Sequence, residues 1–423
     1  MHKIETLLQT LAPKGVEFKT LEEVFEIKNG YTPSKNNPEF WEKGTIPWFR
    51  MEDIRENGRI LKDSIQHITP KALKGKKLFP KNSIIISTTA TIGEHALLIV
   101  DSLANQRFTF LSKKANCDIA LDMKFFFYQC FLLGEWCKNN INVSGFASVD
   151  MTAFKKYKFP IPPLEVQQEI VKILDAFTEL NTELNTELNA RKKQYQYYQN
   201  MLLDFNDINS NHKDAKEKLA QKTYPKNLKT LLHTLAPKGV EFRKLGEVCD
   251  FQKGKSITKK AVTLGKVPVI SGGRQPAYYH NEANRSGETI AISSSGVYAG
   301  YVSYWDIPVF LADSFSVSPK QKTLMPKYLF HYLTTQQDAI HATKSTGGIP
   351  HVYSKDLQNF LIPIPPLEIQ QEIVKILDQF SILTTDLLAG IPAEIEARKK
   401  QYEYYREKLL TFKPLTPHKE VKK

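Results

Sequence analysis

The 423-residue chain contains the same series of segments twice, and this internal repeat constrains its fold more than any other feature. Three pairs of segments are nearly identical, far beyond what chance would give. They are LLQTLAPKGVEF at Leu7–Phe18 and LLHTLAPKGVEF at Leu231–Phe242, PIPPLEVQQEIVKILDAF at Pro160–Phe177 and PIPPLEIQQEIVKILDQF at Pro363–Phe380, and ARKKQYQYY at Ala190–Tyr198 and ARKKQYEYY at Ala397–Tyr405. Each copy thus has a short lead-in, a long variable segment and a nearly constant segment, which predicts two similar halves.

The two variable segments lie at about residues 17–159 and 241–360 and share only a weak common pattern. Both contain short β-branched and aromatic runs bounded by Gly, Pro, Asn and Ser, which is typical of strands joined by loops. Each also contains a longer apolar stretch that predicts one helix, at Met123–Asn140 and at Pro326–Ala342. We therefore expect two mixed α/β domains with one scaffold and different surfaces.

The constant segments have the apolar spacing of helices. After a proline-stiffened entry, the first helix is predicted from about Leu164 to Phe205, and Gly390 and Pro392 should break or kink the second. Apolar residues spaced by three, four and seven match a coiled-coil seam; they are Ile170, Leu174, Phe177, Leu184, Leu188, Tyr195, Tyr198 and Leu202. Two such stripes can bury each other, most simply as an antiparallel pair. The alternative is that each helix packs on its own neighbouring domain.

The expected fold class is α+β, with two similar α/β domains, two long antiparallel coiled-coil-like helical segments and a pseudo-two-fold internal repeat. The polar stretch Asn206–Asn227 is a predicted linker. The expected parts are a first variable domain with its lead-in at 1–159, a central helical spacer and linker at 160–227, a second variable domain at 228–360, and a distal helical spacer with a basic tail at 361–423.

The charge balance favours a polyanionic partner without proving one. The net charge is +13, from 58 Lys and Arg against 45 Asp and Glu, and cationic side chains near phosphates release counterions. The four cysteines form no CxxC pair or zinc-like spacing, which favours free, buried thiols and a reduced, cytoplasmic compartment. Neither a bilayer-spanning apolar run nor a signal peptide is present, so a soluble protein is expected.

Two variable domains alternating with two helical segments that open PIPPLExQQEIVKILD resemble the specificity subunit of type I restriction-modification enzymes. The stretch TPSKNNPEFWEKGTIPW at Thr32–Trp48 is similar to the opening of that family's target recognition domains. The resemblance implies that each variable domain binds half of a split double-stranded DNA target, while the helices set the gap. It also implies docking to two methyltransferase subunits and two restriction subunits. S-adenosylmethionine, ATP and Mg are then expected on those partners, with no cofactor or metal on this chain.

A tandem repeat, TELNTELNTELN, occupies Thr178–Asn189 within the first predicted helix. Its leucines recur every four residues, which keeps one helical face apolar. Each TELN unit adds roughly 6 Å of helix, against about 3.4 Å per DNA base pair. Gaining or losing a unit is therefore expected to change the recognised gap by about one or two base pairs. The alternative is an ordinary polar helix with chance repetition.

Candidate DNA-contacting residues are the basic, polar and aromatic side chains of the variable-domain loops. Arg and Gln suit base edges, while Lys, Ser and Thr more often contact phosphates. The first domain supplies Tyr31, Thr32, Ser34, Lys35, Arg50, Arg55, Arg59, Thr88, Thr89, Thr91, Arg107, Ser144 and Ser148. The second supplies Lys255, Ser256, Lys259, Lys260, Arg274, Gln275, Tyr278, Tyr279, Arg285, Ser293, Ser294, Ser295, Tyr298, Lys344, Ser345 and Thr346. The strongest local pattern is GGRQ at Gly272–Gln275; for any single residue, a solvated surface role is the alternative.

Catalytic signatures are missing from the sequence. FQKGKS at Phe251–Ser256 ends like a phosphate loop, but Cys249 stands where its first glycine belongs. No adenine-methyltransferase tetrapeptide, dinucleotide-binding fingerprint or metal-like histidine spacing is found. A non-catalytic, DNA-binding subunit is therefore expected. The alternatives are a self-contained methyltransferase or nuclease with a divergent site, or a coiled-coil scaffold that binds DNA without distinguishing sequences.

Overall fold

A computed structural model describes residues 2–73, 77–142, 147–320, 322–345, 348–385 and 390–415. The chain divides into two compact units. The first unit comprises Met1–Glu183 and Glu396–Lys423, and the second unit comprises Leu184–Ile395. Each unit thus combines one variable segment with parts of both constant segments.

Short strands and helices alternate in the first unit. Its strands are β1 (Glu17–Thr20), β2 (Phe25–Asn29), β3 (Ile46–Phe49), β4 (Ile60–Leu61), β5 (His67–Ile68), β6 (Ser83–Ser87), β7 (His95–Leu98), β8 (Leu103–Ala104), β9 (Phe108–Lys113), β10 (Ile141–Asn142), β11 (Ser148–Val149) and β12 (Lys158–Ile161). Its helices are α1 (His2–Leu11), α2 (Leu21–Val24), α3 (Met51–Asn57), α4 (Met123–Asn139), α5 (Met151–Lys155) and the beginning of α6 (Leu164–Leu203).

Two sheets organise this unit. One has the strand order β2-β9-β6-β7-β4, and the other has the order β5-β3-β8 with β3 and β8 parallel. Asp122 caps the beginning of helix α4, and its carboxylate accepts hydrogen bonds from the backbone N of Lys124 and Phe125 at 2.7 and 3.2 Å. The helix packs buried aromatic side chains against β2, with the rings of Phe126 and Phe25 4.4 Å apart. The apolar run at 123–140 therefore forms one helix, as predicted.

The second unit repeats this architecture. Its strands are β13 (Phe242–Lys244), β14 (Cys249–Lys253), β15 (Leu264–Ile270), β16 (Tyr278–His280), β17 (Thr289–Ser293), β18 (Val302–Trp305), β19 (Phe310–Leu311), β20 (Ser314–Pro319) and β21 (Leu361–Pro363). Its helices are α7 (Ala215–Gln221), α8 (Lys226–Leu235), α9 (Leu245–Val248), α10 (Pro326–Thr335), α11 (Gln337–Ala342), α12 (Ser354–Leu357), α13 (Leu367–Thr385) and the beginning of α14 (Ile391–Leu410). The sheet orders β14-β20-β17-β18 and β16-β15-β19 correspond to those of the first unit.

One predicted helix of the second unit is in fact two. The stretch 326–342 was predicted as a single helix, but α10 ends at Thr335 and α11 begins at Gln337. The Gln337 side chain donates to the carbonyl O of Gly300 at 2.7 Å and accepts from the backbone N of Val302 at 3.2 Å. These bonds tie the beginning of α11 to the start of β18, and tertiary contacts of this kind are not visible in apolar periodicity.

The stretch predicted as a polar linker, 206–227, is also more ordered than its composition suggests. It contains α7, and it buries four side chains completely or almost so; they are Ile208, Ala215, Leu219 and Tyr224. Sparse apolar residues suffice here because Ile208, Leu219 and Tyr224 pack into one cluster with Leu228 and Leu232 of α8. The segment is therefore part of the second unit's core rather than a flexible spacer.

The constant helices form as predicted. Helix α6 is continuous from Leu164 to Leu203 and includes the whole TELN repeat, whose leucines are half-buried between exposed threonines and glutamates. In the other copy, α13 ends at Thr385 and α14 begins at Ile391, and Gly390, at the predicted break, is not helical. Residues 386–389 lie outside the described ranges.

The two constant helices contact each other within each unit. In the first unit, the Phe177 ring lies 6.2 Å from that of Tyr402 and 5.6 Å from that of Tyr405. In the second, the Tyr198 and Phe380 rings stack 5.1 Å apart. The same helices also pack on the neighbouring sheet domains, since Ile170 and Leu174 are fully buried in the first unit's core. The constant helices therefore contact each other, as the predicted seam requires, and also pack on their neighbouring domains, as the alternative requires.

A buried glutamine fixes each constant helix to its variable domain. Gln167 of α6 is fully buried. Its amide donates to the carbonyl O of Ala120 at 2.8 Å and of Pro162 at 2.7 Å, and accepts from the backbone N of Asp122 at 2.8 Å. Gln370 of α13 makes the same three kinds of bond in the second unit. Both are the first glutamine of a QQ pair.

Replacing either buried glutamine should destabilise its unit. In Gln167→Ala, two carbonyls and one N–H lose their partners inside the protein, and we expect a loss of about 3 kcal/mol in the free energy of unfolding. Urea denaturation of the purified chain measures this loss. Gln168→Ala is the matched control because its side chain is exposed, and it should change stability by less than about 0.5 kcal/mol. Equal effects of the two substitutions would contradict the anchoring role.

None of the described helices is both long and apolar enough to span a membrane.

Candidate nucleic-acid interface

Four loops of the first unit meet where strands β2, β3, β6 and β8 end. They surround a cavity of about 310 Å³. Its lining includes six of the predicted DNA-contacting residues, namely Thr32, Lys35, Arg50, Arg55, Thr91 and Arg107, together with Trp48, Met51, Glu52, Ser87, Asn105, Gln106 and Phe108. Thr32 and Arg107, which are 75 positions apart in the sequence, thus belong to one surface.

Close backbone packing brings these loops together. The backbone N of Gly30 donates to the carbonyl O of Phe108 at 2.9 Å, and that of Tyr31 donates to Ala104 at 2.8 Å. A Cβ at position 30 would lie 2.2 Å from the carbonyl O of Asn105, so only glycine permits this approach. The hydroxyl of Thr32 then reaches the side-chain oxygen of Gln106 across the cavity.

The cavity is strongly cationic. Four of its lining residues are Lys or Arg, and Glu52 is the only acid among them. Lys35, Arg55 and Arg107 are exposed, while the Arg50 guanidinium lies 5.9 Å from the Trp48 ring. A concave surface with this excess of positive charge concentrates phosphate-bearing ligands.

The other candidates of this unit have structural contacts or lie beside the cavity. Thr88 is buried, and its hydroxyl bonds that of Thr109 at 3.0 Å. Thr89 pairs with Ser148 through a backbone bridge. The Arg59 guanidinium forms an ion pair with Glu94 at 2.5 Å and is not among the residues that line the cavity. Tyr31 is half-buried and Ser34 is exposed in the loop after β2, and Ser144 lies outside the described residues.

In the second unit, the GGRQ segment presents an exposed arginine supported by aromatic rings. The Arg274 guanidinium lies 4.8 Å from the Tyr298 ring centre and 5.7 Å from that of Tyr301. A Cβ at Gly272 would lie 2.5 Å from the carbonyl O of Ser295, so glycine is again required for the two loops to touch. Gln275 beside Arg274 is also exposed.

The serines at the end of β17 and directly after it make contacts within the protein that support this loop. The buried Ser293 donates its hydroxyl to the carbonyl O of Ser271 at 3.0 Å. The Ser295 hydroxyl bonds the Asp313 carboxylate, and the backbone N of Ser294 donates to the carbonyl O of Asp313 at 3.0 Å. These serines therefore hold the GGRQ loop in place.

The remaining candidates of the second unit occupy several loops. Exposed side chains of the segment after β14 and of β16 are Lys255, Ser256, Lys259, Lys260 and Tyr279, and Tyr278 is half-buried. Lys344 bonds the ring of His341 at 2.8 Å, and Ser345 beside it is half-buried. Thr346 lies outside the described residues.

Arg285 stabilises the second unit rather than facing a ligand. Its guanidinium donates to the Ser316 hydroxyl and to the carbonyl O atoms of Asn284, Gln252 and Lys253, at 2.7 to 3.1 Å. Burial lowers the pKa of this guanidinium. With four protein partners, Arg285 has little capacity left for a ligand.

Sequence reasoning missed several residues of these surfaces. Asn105 and Gln106 line the first cavity next to Arg107, and Tyr301 and Asp313 contact predicted members of the second. Asn105 and Gln106 lie just before β9, Tyr301 directly precedes β18, and Asp313 directly precedes β20. These positions would have been the signal, but using it requires knowledge of the order of the strands in the sheets.

The cysteines are free and none is placed for metal binding. Cys130, Cys137 and Cys249 are buried, and burial raises the pKa of the Cys137 and Cys249 thiols to about 12. Within the described ranges, no three His, Cys, Asp or Glu side chains lie together as a metal site requires.

The family model for the type I restriction modification DNA specificity domain matches residues 13–194 and again residues 237–397. The chain belongs to this family of specificity subunits. The specificity subunit of the type I restriction enzyme EcoprrI from Escherichia coli is 40% identical over 402 residues, covering 92% of this chain and 93% of that protein. The MjaIX specificity subunit of Methanocaldococcus jannaschii is 23% identical over 61% of this chain and 57% of that protein.

The fold of a solved specificity subunit is also similar. The type I S subunit from M. genitalium matches with a TM-score of 0.58 at 18% identity, covering 94% of this chain and 96% of that chain. The family match and the relatives confirm the predicted family and its sequence-specific role in DNA recognition. The solved structure agrees with the predicted fold of two repeated domains and a long helix. Specificity subunits are non-catalytic members of type I systems, so the self-contained enzyme and the non-specific scaffold are not favoured.

Proposed function

We propose that this specificity subunit reads a double-stranded DNA target in two parts, one with each unit. Residues 1–159 and 228–360 act as the two target recognition domains. The segments 160–227 and 361–423 set the gap between the half-sites and dock two methyltransferase subunits, and two restriction subunits complete the complex. S-adenosylmethionine, ATP and Mg are bound by those partners.

One observation carries the proposal: the two units have the same backbone frame at the strand ends but different side chains on it. The backbone N of Thr88 donates to the carbonyl O of Arg107 at 3.1 Å, and at the corresponding place the N of Ser294 donates to Asp313 at 3.0 Å. An arginine in one unit thus stands at the backbone position that an aspartate occupies in the other. A common frame with unlike side chains suits two readers of unlike half-sites.

The charge and exposure of the side chains suggest different roles for the lysine and the arginine of the first cavity. Lys35 is a flexible, exposed point charge and suits a phosphate. Arg107 is exposed beside two amide side chains, and a guanidinium can bond guanine with two parallel hydrogen bonds. We assign base recognition in the first unit to Arg107 and its neighbours, and backbone attraction to Lys35.

Binding measurements with two substitutions test this assignment. Arg107→Ala should weaken binding to the cognate target by about 5- to 150-fold and leave non-specific binding nearly unchanged, since a good base contact contributes about 1–3 kcal/mol. Lys35→Ala should weaken binding to all sequences alike and reduce the slope of log K against log salt by about one. Fluorescence anisotropy of the assembled methyltransferase complex over a salt series measures both effects.

Lys216→Ala is the matched control because this exposed lysine of α7 lies outside both candidate surfaces. It should leave affinity, specificity and salt dependence unchanged. If wild-type protein binds cognate and scrambled duplexes equally and Arg107→Ala has no selective effect, the proposed recognition role is wrong.

A further inference from the structure

An exposed valine lies in the turn that follows β17. Val297 has 81% of its surface exposed. Its backbone is nevertheless fixed on both sides, since the backbone N of Gly296 donates to the carbonyl O of Pro350 at 3.0 Å, and the N of Ala299 donates to that of Gly296 at 3.1 Å. The exposure therefore belongs to a tight, hydrogen-bonded turn, which holds the valine in one place.

The neighbours of this valine belong to the candidate surface of the second unit. The adjacent Tyr298 supports the exposed Arg274 guanidinium, which lies 4.8 Å from the centre of its ring. On the neighbouring loop, Ile349 has 68% of its surface exposed and directly precedes Pro350, to which the turn is bonded. Two exposed aliphatic side chains thus lie on the loops that adjoin the arginine suited to a base edge.

The repeat places the equivalent of Val297 in the cavity of the first unit. In both units a glycine after the turn donates its backbone N to the carbonyl O of the strand's last serine, at 2.9 Å from Gly93 and at 2.8 Å from Gly300. Counted from the last serine of β6 and of β17, Thr91 corresponds to Val297. The residue before each has a positive φ, 61° in the first unit and 87° in the second. Because Thr91 lines the first cavity, Val297 occupies a position that faces the proposed ligand.

An aliphatic side chain on a DNA-reading surface has one apolar counterpart among the edges of unmodified bases. Guanine, cytosine and adenine present hydrogen-bond donors and acceptors in the major groove, whereas thymine adds a C5-methyl group. Contact between that methyl group and a valine removes both from water, which is favourable. A single exposed valine elsewhere on a protein surface needs no such partner. This one is fixed by its turn and lies beside Arg274, so a base methyl group is the ligand that fits it.

We infer that Val297 contacts the C5-methyl group of a thymine in the half-site that the second unit reads. The inference rests on the proposed function, in which this unit reads one part of the DNA target. Arg274 then supplies charge and hydrogen bonds to the half-site, and Val297 supplies an apolar contact that favours thymine at one position. Thr91 offers a hydroxyl at the equivalent position, so the two units present different chemistry there.

Replacing a thymine by 2′-deoxyuridine tests this contact, because it removes the methyl group and keeps the base pair. The probes are unmethylated synthetic duplexes of the mapped target, in which thymine is the only source of base methyl groups. Each thymine is replaced in turn, and binding of the assembled methyltransferase complex is measured by fluorescence anisotropy. In the wild type, replacement at a position of one half-site should weaken binding about three- to fivefold.

Substitutions at Val297 connect this sensitivity to the side chain. Val297→Ser should bind thymine and uracil at that position equally, whereas Val297→Ile keeps the apolar contact and should keep the sensitivity. Ile307→Ser is the matched control, because Ile307 is also exposed, at 50%, but lies beyond the other end of β17. It follows Trp305, which pairs with Thr289 at the start of that strand. This control should respond to uracil as the wild type does.

Several results would overturn the inference. They are equal uracil sensitivity in Val297→Ser and the wild type, no sensitivity at any thymine, and a half-site without thymine on either strand. Val297→Ser that weakens binding to duplexes with every thymine replaced as much as to the unmodified duplex would indicate an apolar wedge between base pairs and also overturns it. If the wild type still prefers the cognate duplex to a scrambled one, the proposed function stands in all these cases. A wild type without that preference contradicts the proposed function itself.

Discussion

Deleting one TELN unit, Thr182–Asn185, is expected to abolish methylation at the original target and to create methylation at a target with a shorter gap. The repeat lies within the continuous helix α6, whose residues before and after Glu183 belong to different units. Removing four residues shortens the helix by about 6 Å, the rise of about two base pairs. Both half-sites should stay the same, because no residue of either candidate surface changes.

The expected effect at the original target is large. A protein whose two readers no longer match the spacing loses the contacts of one half-site, and each mismatched base pair costs about 1–3 kcal/mol. With several pairs lost, methylation should fall by more than about a thousandfold. Thr182→Ala with Asn185→Ala keeps the helix length, and the double substitution should leave the target unchanged. Methylation mapping that finds the old gap in the deletion would show that the repeat does not set the spacing.

Arg274→Ala is expected to relax recognition in one half-site only. The Arg274 guanidinium is exposed and rests over Tyr298 at 4.8 Å, so aromatic support pre-orients it for a base edge. Its loss should cost about 1–3 kcal/mol, or 5- to 150-fold in affinity for the cognate target. Arg274→Lys should recover charge attraction but not the discrimination, because lysine lacks the planar pair of donors.

Arg285→Ala provides the contrasting control. This guanidinium holds three carbonyls and a hydroxyl of the second unit, so its loss should lower the free energy of unfolding by about 2–3 kcal/mol. Thermal melting distinguishes the two variants: Arg274→Ala should melt like wild type and Arg285→Ala should melt earlier. Altered specificity in a stable Arg285→Ala protein would contradict the structural role.

Much of the fold could be predicted because the internal repeat shows which segments of the chain share one structure. Periodicity located α4 and α6, and Gly390 with Pro392 located the break between α13 and α14. The order of strands within each sheet was beyond reach, since pairing joins residues far apart in sequence. The split between α10 and α11 was missed for the same reason, because it depends on a side chain bonding another element.

The sequence indicated which types of residue form the candidate sites, but not which of those residues lie together on one surface. Loop composition suggested Arg107 and Arg274, whose exposure the structure supports. It could not distinguish them from Arg59 and Arg285, because an ion pair with Glu94 or bonds to carbonyls appear only after folding. The repeated ILD motif gave no sign that Asp175 and Asp378 each hold a lysine of the variable domain at 2.6 Å.

The most direct test is to map methylated adenines in cells that carry this chain with its partner subunits, comparing wild type with Arg107→Ala and Arg274→Ala. Two units with separate half-sites predict a split motif in which the first substitution relaxes bases of one half and the second relaxes bases of the other. An uninterrupted motif, or relaxation of the same bases by both substitutions, would contradict two-part reading.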